Sequence, residues 1–506
     1  MYSKTQSASL EGIDARIIEI EVESGGGMPS FNIVGLVGKS ISESKDRVNT
    51  ALISTGFPPE AGKILVNLMP AHLRKEGSHF DLGIAAALMV NCGYIDAAPQ
   101  LLESFAFFGE LSLNGKVKEV IGLLPLALEA QQQRIRYIVV PQANYKEASL
   151  INLASQFNAE VYAVRDLFEL RALLEAISAG KESEQYRVKV LSKIESKAQG
   201  NKDLSDVIGQ EHAKRGLEIA AAGRHHLLMI GPPGCGKSML ASRFINLLPE
   251  LSFDEALELT KIYSITGLSD GELMLEPPLR MPHHSASNAA LVGGGSRIKP
   301  GEASLAHHGV LFLDELTEFN RHSIEQFRQI LEDKNININR IRQTVNFPAD
   351  FILIAACNPC PCGYLGDKLK ACSCAPQQIA RYLGKLSGPL LDRIDMHIEL
   401  SRLSYEEIQL LNRAKVAEPI TEAIRSKVVE ARSFAKEINQ AIKLNEEELK
   451  FMDNAVMKLE LSARSHQKIL RLARTIANLD YSEQVKVEHL AEALSFRAVD
   501  WEVYAK

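Results

Sequence analysis

One stretch of this chain restricts its fold more than any other. Gly231, Pro232, Pro233, Gly234, Cys235, Gly236, Lys237 and Ser238 fit the pattern G-x-x-x-x-G-K-S, with the apolar run LLMI before them and a helix-like run, beginning at Met239, after them. Glycines at these points let successive backbone N–H groups turn toward phosphate oxygens, while Lys237 reaches the β/γ-phosphates and Ser238 can hold Mg²⁺. The pattern works only at a strand-to-helix turn, so it commits this part of the chain to an open α/β sheet with a nucleotide, ATP, at the carboxyl ends of its strands.

Three further segments extend the site. Val310, Leu311, Phe312 and Leu313 run into Asp314 and Glu315. A buried strand that ends in two carboxylates supplies one to orient Mg²⁺ and one to polarise an attacking water. The apolar run FILIAACNP places Asn358 at its end, where a polar side chain meets the γ-phosphate or the water; the competing reading is a turn-forming Asn before Pro359. Arg393, between two apolar stretches in GPLLDRIDMHIEL, reads equally as a cation inserted into a neighbouring site or as a structural partner of Asp392 or Asp395. Arg464 opens a helical run and, taken alone, is one basic residue on a solvated face.

Cysteine usage supplies a second kind of site. Five of the seven cysteines fall within 357–374. Cys360, Cys362, Cys372 and Cys374 form two Cys-x-Cys pairs, enough thiolates for tetrahedral Zn²⁺, and the polar segment between them is too small for a core of its own. An Fe–S cluster, or a set pairing Cys357 with Cys360, also fits the count; Cys357 reads more simply as a small apolar residue inside its strand. The pairs His283–His284 and His307–His308 read as non-ligands, because adjacent side chains on a regular element point apart.

At 506 residues the chain exceeds a single core. Residues 1–178 alternate strand-like and helix-like runs, with strands expected at 13–23, 62–69 and 135–141. Residues 179–203 are charged and linker-like, 204–400 carry the nucleotide motifs, and 401–506 are almost wholly helical in pattern. The first residues lack an apolar signal core, and the most apolar run, Leu82 to Val90, is under half the ~20 residues a spanning helix needs, so the expected address is the cytoplasm with no membrane partner. A net charge of −6 argues against a uniformly basic nucleic-acid binder, yet leaves room for basic residues gathered along a pore.

Together RMPHHSASNAALVGGGSRIKPGEASLAHHGVLFLDEL, NPCPCGYLGD and SGPLLDRID resemble the magnesium-chelatase-like AAA+ proteins of the YifB/ComM type over nearly the whole chain. The fold class this implies is α/β: a Lon-protease-like α+β domain, an AAA+ P-loop domain with a small zinc-binding insertion at 360–374, and a C-terminal helical lid. The resemblance also implies that Arg393 acts as an arginine finger, that Arg464 is the sensor-2 arginine, and that two insertions face a pore. The first lies within about 282–300; the second is the hairpin 337–348, whose Arg340 and Arg342 would share one strand face and meet DNA. The implied activity is that of a homohexameric ATPase driving branch migration of branched, single- and double-stranded DNA alongside recombination proteins during natural transformation. A protein-remodelling or metal-insertion motor is the alternative.

LMPAHLRKEGSHFDLGIA and GELSLNGKVKEVIGLLPLALEA resemble the Lon segments that carry the nucleophilic Ser and its Lys. Here His79 stands at the nucleophile position, Leu124 at the lysine position, and Ser78 is one residue off, which implies that proteolysis is lost.

Overall fold

The computed structural model describes residues 1–60, 62–154, 157–181, 183–190, 202–295, 298–340, 343–367, 369–402, 419–438 and 442–497. The chain forms two compact units, Met1–Glu195 with Phe253–Met274, and Ser196–Ser252 with Leu275–Lys506. Two departures from the blocks expected above follow. The nucleotide block and the helical block share one unit, and residues 253–274 pack with the other.

The first unit is built on a seven-stranded sheet. Its strands are β1 (Tyr2–Glu11), β2 (Asp14–Gly25), β3 (Ser30–Val34), β4 (Lys63–Met69), β5 (Phe105–Phe107), β6 (Tyr137–Pro141) and β7 (Glu160–Val164), in the order β3-β4-β2-β1-β5-β6-β7. β1 and β2 run antiparallel, as do β2 and β4, whereas β5, β6 and β7 are parallel to β1 and to one another. The helix Asp81–Asn91 is buried at every position, consistent with its unbroken apolar run. Its one charge, Asp81, is satisfied by Arg47, whose Nε donates to Oδ2 at 2.8 Å, and by the Leu111 N–H at 3.2 Å. The helix Phe253–Thr266 joins this unit beside Leu123–Gln132: Gly122 N donates to the Ser264 carbonyl at 3.1 Å and the Ser264 hydroxyl to the Glu147 carboxylate. Burial raises the Glu147 carboxyl, against three hydrogen bonds that stabilise its charge.

The second unit holds a five-stranded parallel sheet of β8 (Leu227–Ile230), β9 (Leu279–Arg280), β10 (Val310–Leu313), β11 (Ile352–Cys357) and β12 (Met396–Glu399), in the order β9-β10-β11-β8-β12. Every residue of β8, β10 and β11 is buried, as expected of parallel strands covered on both faces. Their side chains share a core with Val428, Leu472, Ile476 and Leu490 from the C-terminal helices. That common core joins the C-terminal helices to the sheet. Each such Leu, Ile or Phe contributes roughly 1.5–3 kcal/mol by leaving water.

Candidate nucleotide and metal sites

The parallel sheet sends three site segments out of the same end. Leu227 pairs with Ile354, and Val310 with Ile352, so Ile230, Leu313 and Cys357 finish side by side. After Ile230 the chain turns through Gly234 (φ +80°) and Gly236 (φ +95°), left-handed conformations that favour glycine, and enters the helix Lys237–Phe244. A Cβ on Gly231 would stand 2.6 Å from the Leu400 carbonyl oxygen, so close packing as well as phosphate access demands glycine there. Pro232, Pro233 and Cys235 complete the turn; Met239, third in the helix, is exposed.

The side chains of these segments lie within hydrogen-bonding reach of one another. Lys237 Nζ donates to the carbonyls of Gly231 (2.7 Å) and Pro232 (3.0 Å) and to Asn358 Oδ1 (3.1 Å). Ser238 Oγ donates to Asp314 Oδ2 at 2.7 Å, and Asp314 Oδ1 accepts from the Glu315 N–H at 2.9 Å. A facing hydroxyl and carboxylate form a hard-oxygen donor set that suits Mg²⁺. Glu315 sits at φ +52°, a left-handed conformation that costs a non-glycine residue about 1–3 kcal/mol. Its carboxylate lies 3.4 Å from His284 Nδ1. The motifs alone do not pair these two residues; the place of His284 within the first insertion is the one signal in the sequence. His307 Nδ1 accepts from the Asp350 N–H at 3.0 Å.

Arg393 emerges at the opposite end of the sheet. Asp395 and Met396 N–H groups bond to His226, just ahead of β8, and Met396 pairs with Leu227. Arg393 Nη2 lies 2.6 Å from Glu332 Oε1, and Arg464 Nη2 lies 3.4 Å from the same oxygen. Of the partners weighed for Arg393, neither Asp392 nor Asp395 is the one seen. Glu332, held below the usual carboxylate range by its bond from Arg393, was not weighed at all. Arg464 is second in the helix Ala463–Leu479, capped by Ser462.

The four cysteines of the insertion converge. Their sulfurs all lie within 4.8 Å of one another, with Cys360–Cys362 at 3.4 Å, Cys362–Cys372 at 3.5 Å and Cys360–Cys372 at 3.6 Å. Zn–S bonds of about 2.3 Å imply tetrahedral edges near 3.8 Å, so the set is compatible with Zn²⁺. Backbone N–H groups of Tyr364 and Ser373 pull the Cys362 thiol down to about 6, toward thiolate. Cys357 is buried in β11, apart from this cluster, and burial pushes its thiol up to about 12.

Of the expected pore insertions, the first contains the helix Asn288–Val292 and a two-strand ribbon, Gly293–Gly294 with Lys299–Pro300. The second is an antiparallel hairpin, Asn335–Arg340 with Gln343–Pro348. Its first strand runs to Arg340, and Arg342 lies outside the described residues. Lys334 and Arg224 pin the hairpin base by pairing with Asp350 at 3.2 and 3.3 Å.

Comparison with known proteins bears on what this arrangement serves. Residues 203–408 match the family described as magnesium chelatase, subunit ChlI; residues 20–144 match subunit ChlI of Mg-chelatase, and residues 411–497 match magnesium chelatase, subunit ChlI C-terminal. The competence protein ComM of Haemophilus influenzae is 41% identical over 505 residues, 96% of each chain. This chain belongs to the magnesium-chelatase ChlI-like family of ComM and YifB. YifB of Escherichia coli is 40% identical over 504 residues, 97% of this chain and 96% of that one. Membership in this AAA+ family implies ATP hydrolysis with Mg²⁺. Lon protease 2 of Bacillus subtilis matches a shorter stretch, 28% identical over 208 residues, 36% of this chain and 38% of that one.

In this family member Ser78 Oγ donates to the Glu110 carboxylate, His79 is buried with Nε2 2.7 Å from the Ala8 carbonyl, and Leu124 is buried. Lys75, the nearest lysine in sequence, bonds to the carbonyls of Gly35 and Pro70, and burial lowers its ammonium. Among the described residues no helix is long and apolar enough to cross a membrane.

Proposed function

We propose that this chain is an ATP-driven, cytoplasmic DNA motor, a homohexameric helicase that drives branch migration of recombination intermediates, working with recombination proteins on DNA taken up in natural transformation. The observation that carries the reading is the division of the parallel sheet. Lys237, Ser238, Asp314 and Asn358 stand at its carboxyl end, whereas Arg393 stands at its amino end. The four residues of β8 separate those ends by roughly 10 Å, and Arg393 is held on its own side by Glu332. An arginine so placed serves a nucleotide bound to another subunit, and a closed ring supplies one to every site.

In this reading the loop from Gly231 to Met239 cradles ATP, and Lys237 leaves the loop carbonyls for the β/γ-phosphates. Ser238 and Asp314 would hold Mg²⁺, which supplies charge neutralisation at the phosphates. Glu315 orients water, Asn358 senses the γ-phosphate, and Arg393 and Arg464 stabilise transition-state charge from the neighbouring subunit. Cys360, Cys362, Cys372 and Cys374 would hold Zn²⁺ as a structural ion. The first unit is read as a Lon-like domain without its catalytic pair, retained for assembly or DNA contact.

DNA enters through the hairpin. A chain of net charge −6 holds DNA only where cations gather; Arg340 is the last residue of the first hairpin strand, and Arg342 follows two residues later in the sequence. Phosphate contacts carry no sequence information, which suits a motor that translocates over any sequence. The test is Arg340→Ala with Arg342→Ala. Assembly and bound zinc are expected to persist, while DNA-stimulated ATP hydrolysis and migration of a four-way junction are lost. Wild-type junction migration by the double variant would overturn the reading.

A further inference from the structure

Arg393 and Arg464 come from distant parts of the chain and meet at one carboxylate. Glu332 Oε1 receives Arg393 Nη2 at 2.6 Å and Arg464 Nη2 at 3.4 Å. We propose that Glu332 is a positioning residue that binds these two arginines into one two-armed cation aimed at the nucleotide of an adjacent subunit; this rests on the trans-acting reading of Arg393 above.

Two guanidinium groups this close repel each other, and the carboxylate between them cancels that repulsion while leaving the cluster with one net positive charge. Arg393 is further fixed by its own loop, since Nη1 donates to the Pro389 carbonyl at 2.7 Å. Its side chain is only 13% exposed, unlike that of an ordinary surface ion pair, which orders little.

A second tie joins the same two segments. Lys468, one helical turn beyond Arg464, reaches Asp395 Oδ1 at 3.3 Å and the Ile394 carbonyl at 3.2 Å. Arg497 Nη1 donates to the carbonyls of Ile394 and Asp395, each at 3.2 Å. Burial raises the Asp395 carboxyl, but the bond from His225 and the charges around it outweigh that and leave it far below the usual range; burial pulls the Lys468 ammonium down to about 8. The finger loop and the helix carrying Arg464 are therefore fastened twice, at Glu332 and at Asp395. They move together, and Glu332 fixes the spacing of their two charges.

Glu332 is also the last residue but one of the helix Arg321–Asp333, three residues before the hairpin strand Asn335–Arg340. Displacement of that hairpin reaches the arginine pair through a single turn of chain.

The experiment uses the full chain assembled with ATP. Glu332→Gln keeps the side-chain size and drops the charge. It is expected to lower kcat for ATP hydrolysis by about tenfold with KM for ATP within about twofold, as misplacement of a transition-state contact does. In an Arg393→Ala background the same change is expected to cost clearly less than tenfold, since only Arg464 is left for it to misplace. Mixing Glu332→Gln subunits with an excess of Lys237→Ala subunits, whose Glu332 is intact, is expected to restore hydrolysis at the Glu332→Gln subunits' own nucleotides; damage confined within a subunit would not be repaired by its neighbour. A wild-type kcat in Glu332→Gln beside an inactive Arg393→Ala, or a loss that mixing fails to restore, overturns the assignment. Wild-type hydrolysis by Arg393→Ala overturns the trans-arginine reading and this proposal with it.

Discussion

The two ends of one parallel sheet are assembled by different means. At the carboxyl end each functional group comes from a short motif that also builds the strand and turn beneath it. Lys237 and Ser238 open the helix directly after β8, Asp314 and Glu315 follow β10, and Asn358 follows β11. At the amino end no motif suffices. Arg393, Glu332 and Arg464 come from three separate segments, the last two 132 residues apart, and become a group only when the C-terminal helices pack onto the sheet. A site of the first kind is inherited with the backbone, whereas the second depends on tertiary packing. The first should fail sharply at single residues, and the second by degrees.

The largest effects are therefore expected at the carboxyl end. Lys237→Ala removes the cation that bridges the loop and Asn358, and tight ATP binding is expected to disappear in equilibrium titration. Glu315→Gln is expected to retain binding while hydrolysis falls about 10²–10⁴-fold, the range for a lost general base. Near-wild-type turnover in Glu315→Gln would remove the distinction between phosphate cradle and water activation.

Next in size is the cysteine insertion, whose four clustered thiols are compatible with Zn²⁺. Elemental analysis of reduced protein is expected to find about one zinc per chain, and Cys360→Ser with Cys362→Ser to abolish it. Structural zinc supplies ~10–16 kcal/mol in small peptides, so loss is expected to unfold this segment, seen as protease cleavage between Cys360 and Cys374. Metal-free protein with the segment still protected would mean that its small core of Ile379, Tyr382 and Leu383 is sufficient.

Legibility in the sequence divides along the same line. The strands expected at 62–69 and 135–141 are seen as Lys63–Met69 and Tyr137–Pro141, because β-branched runs between Gly or Pro carry their own boundaries. The convergence of the four cysteines was legible because close spacing alone brings thiols together. Glu332 was not, since its helix reads as a solvated amphipathic face until Arg393 and Arg464 arrive from elsewhere. The helix Phe253–Thr266 misled for a related reason. Its chain position puts it among the nucleotide motifs, but its partners, Gly122 and Glu147, lie more than a hundred residues upstream.

The smallest expected effect tests whether the cysteine segment and the phosphate loop constrain each other. Gly363, inside the cysteine segment, has φ +83°, and a Cβ there would stand 2.7 Å from Pro233 Cδ in the phosphate loop and 3.9 Å from Asn358 Cγ. The cysteine segment thus backs directly onto the loop that leads into Lys237. Gly363→Ala is expected to cost about 1–2 kcal/mol for the left-handed backbone, with added pressure on Pro233. Pro233 is rigid and cannot rotate away, so the loop must give. ATP affinity is then expected to fall a few-fold while zinc content stays the same and kcat at saturating ATP changes little, since the arginine end of the sheet is untouched. Unchanged ATP affinity in a folded, zinc-bearing Gly363→Ala would show that the loop holds its shape without the insertion. A matching loss of zinc would instead show that the strain is taken up among the cysteines, leaving phosphate binding insulated from the metal.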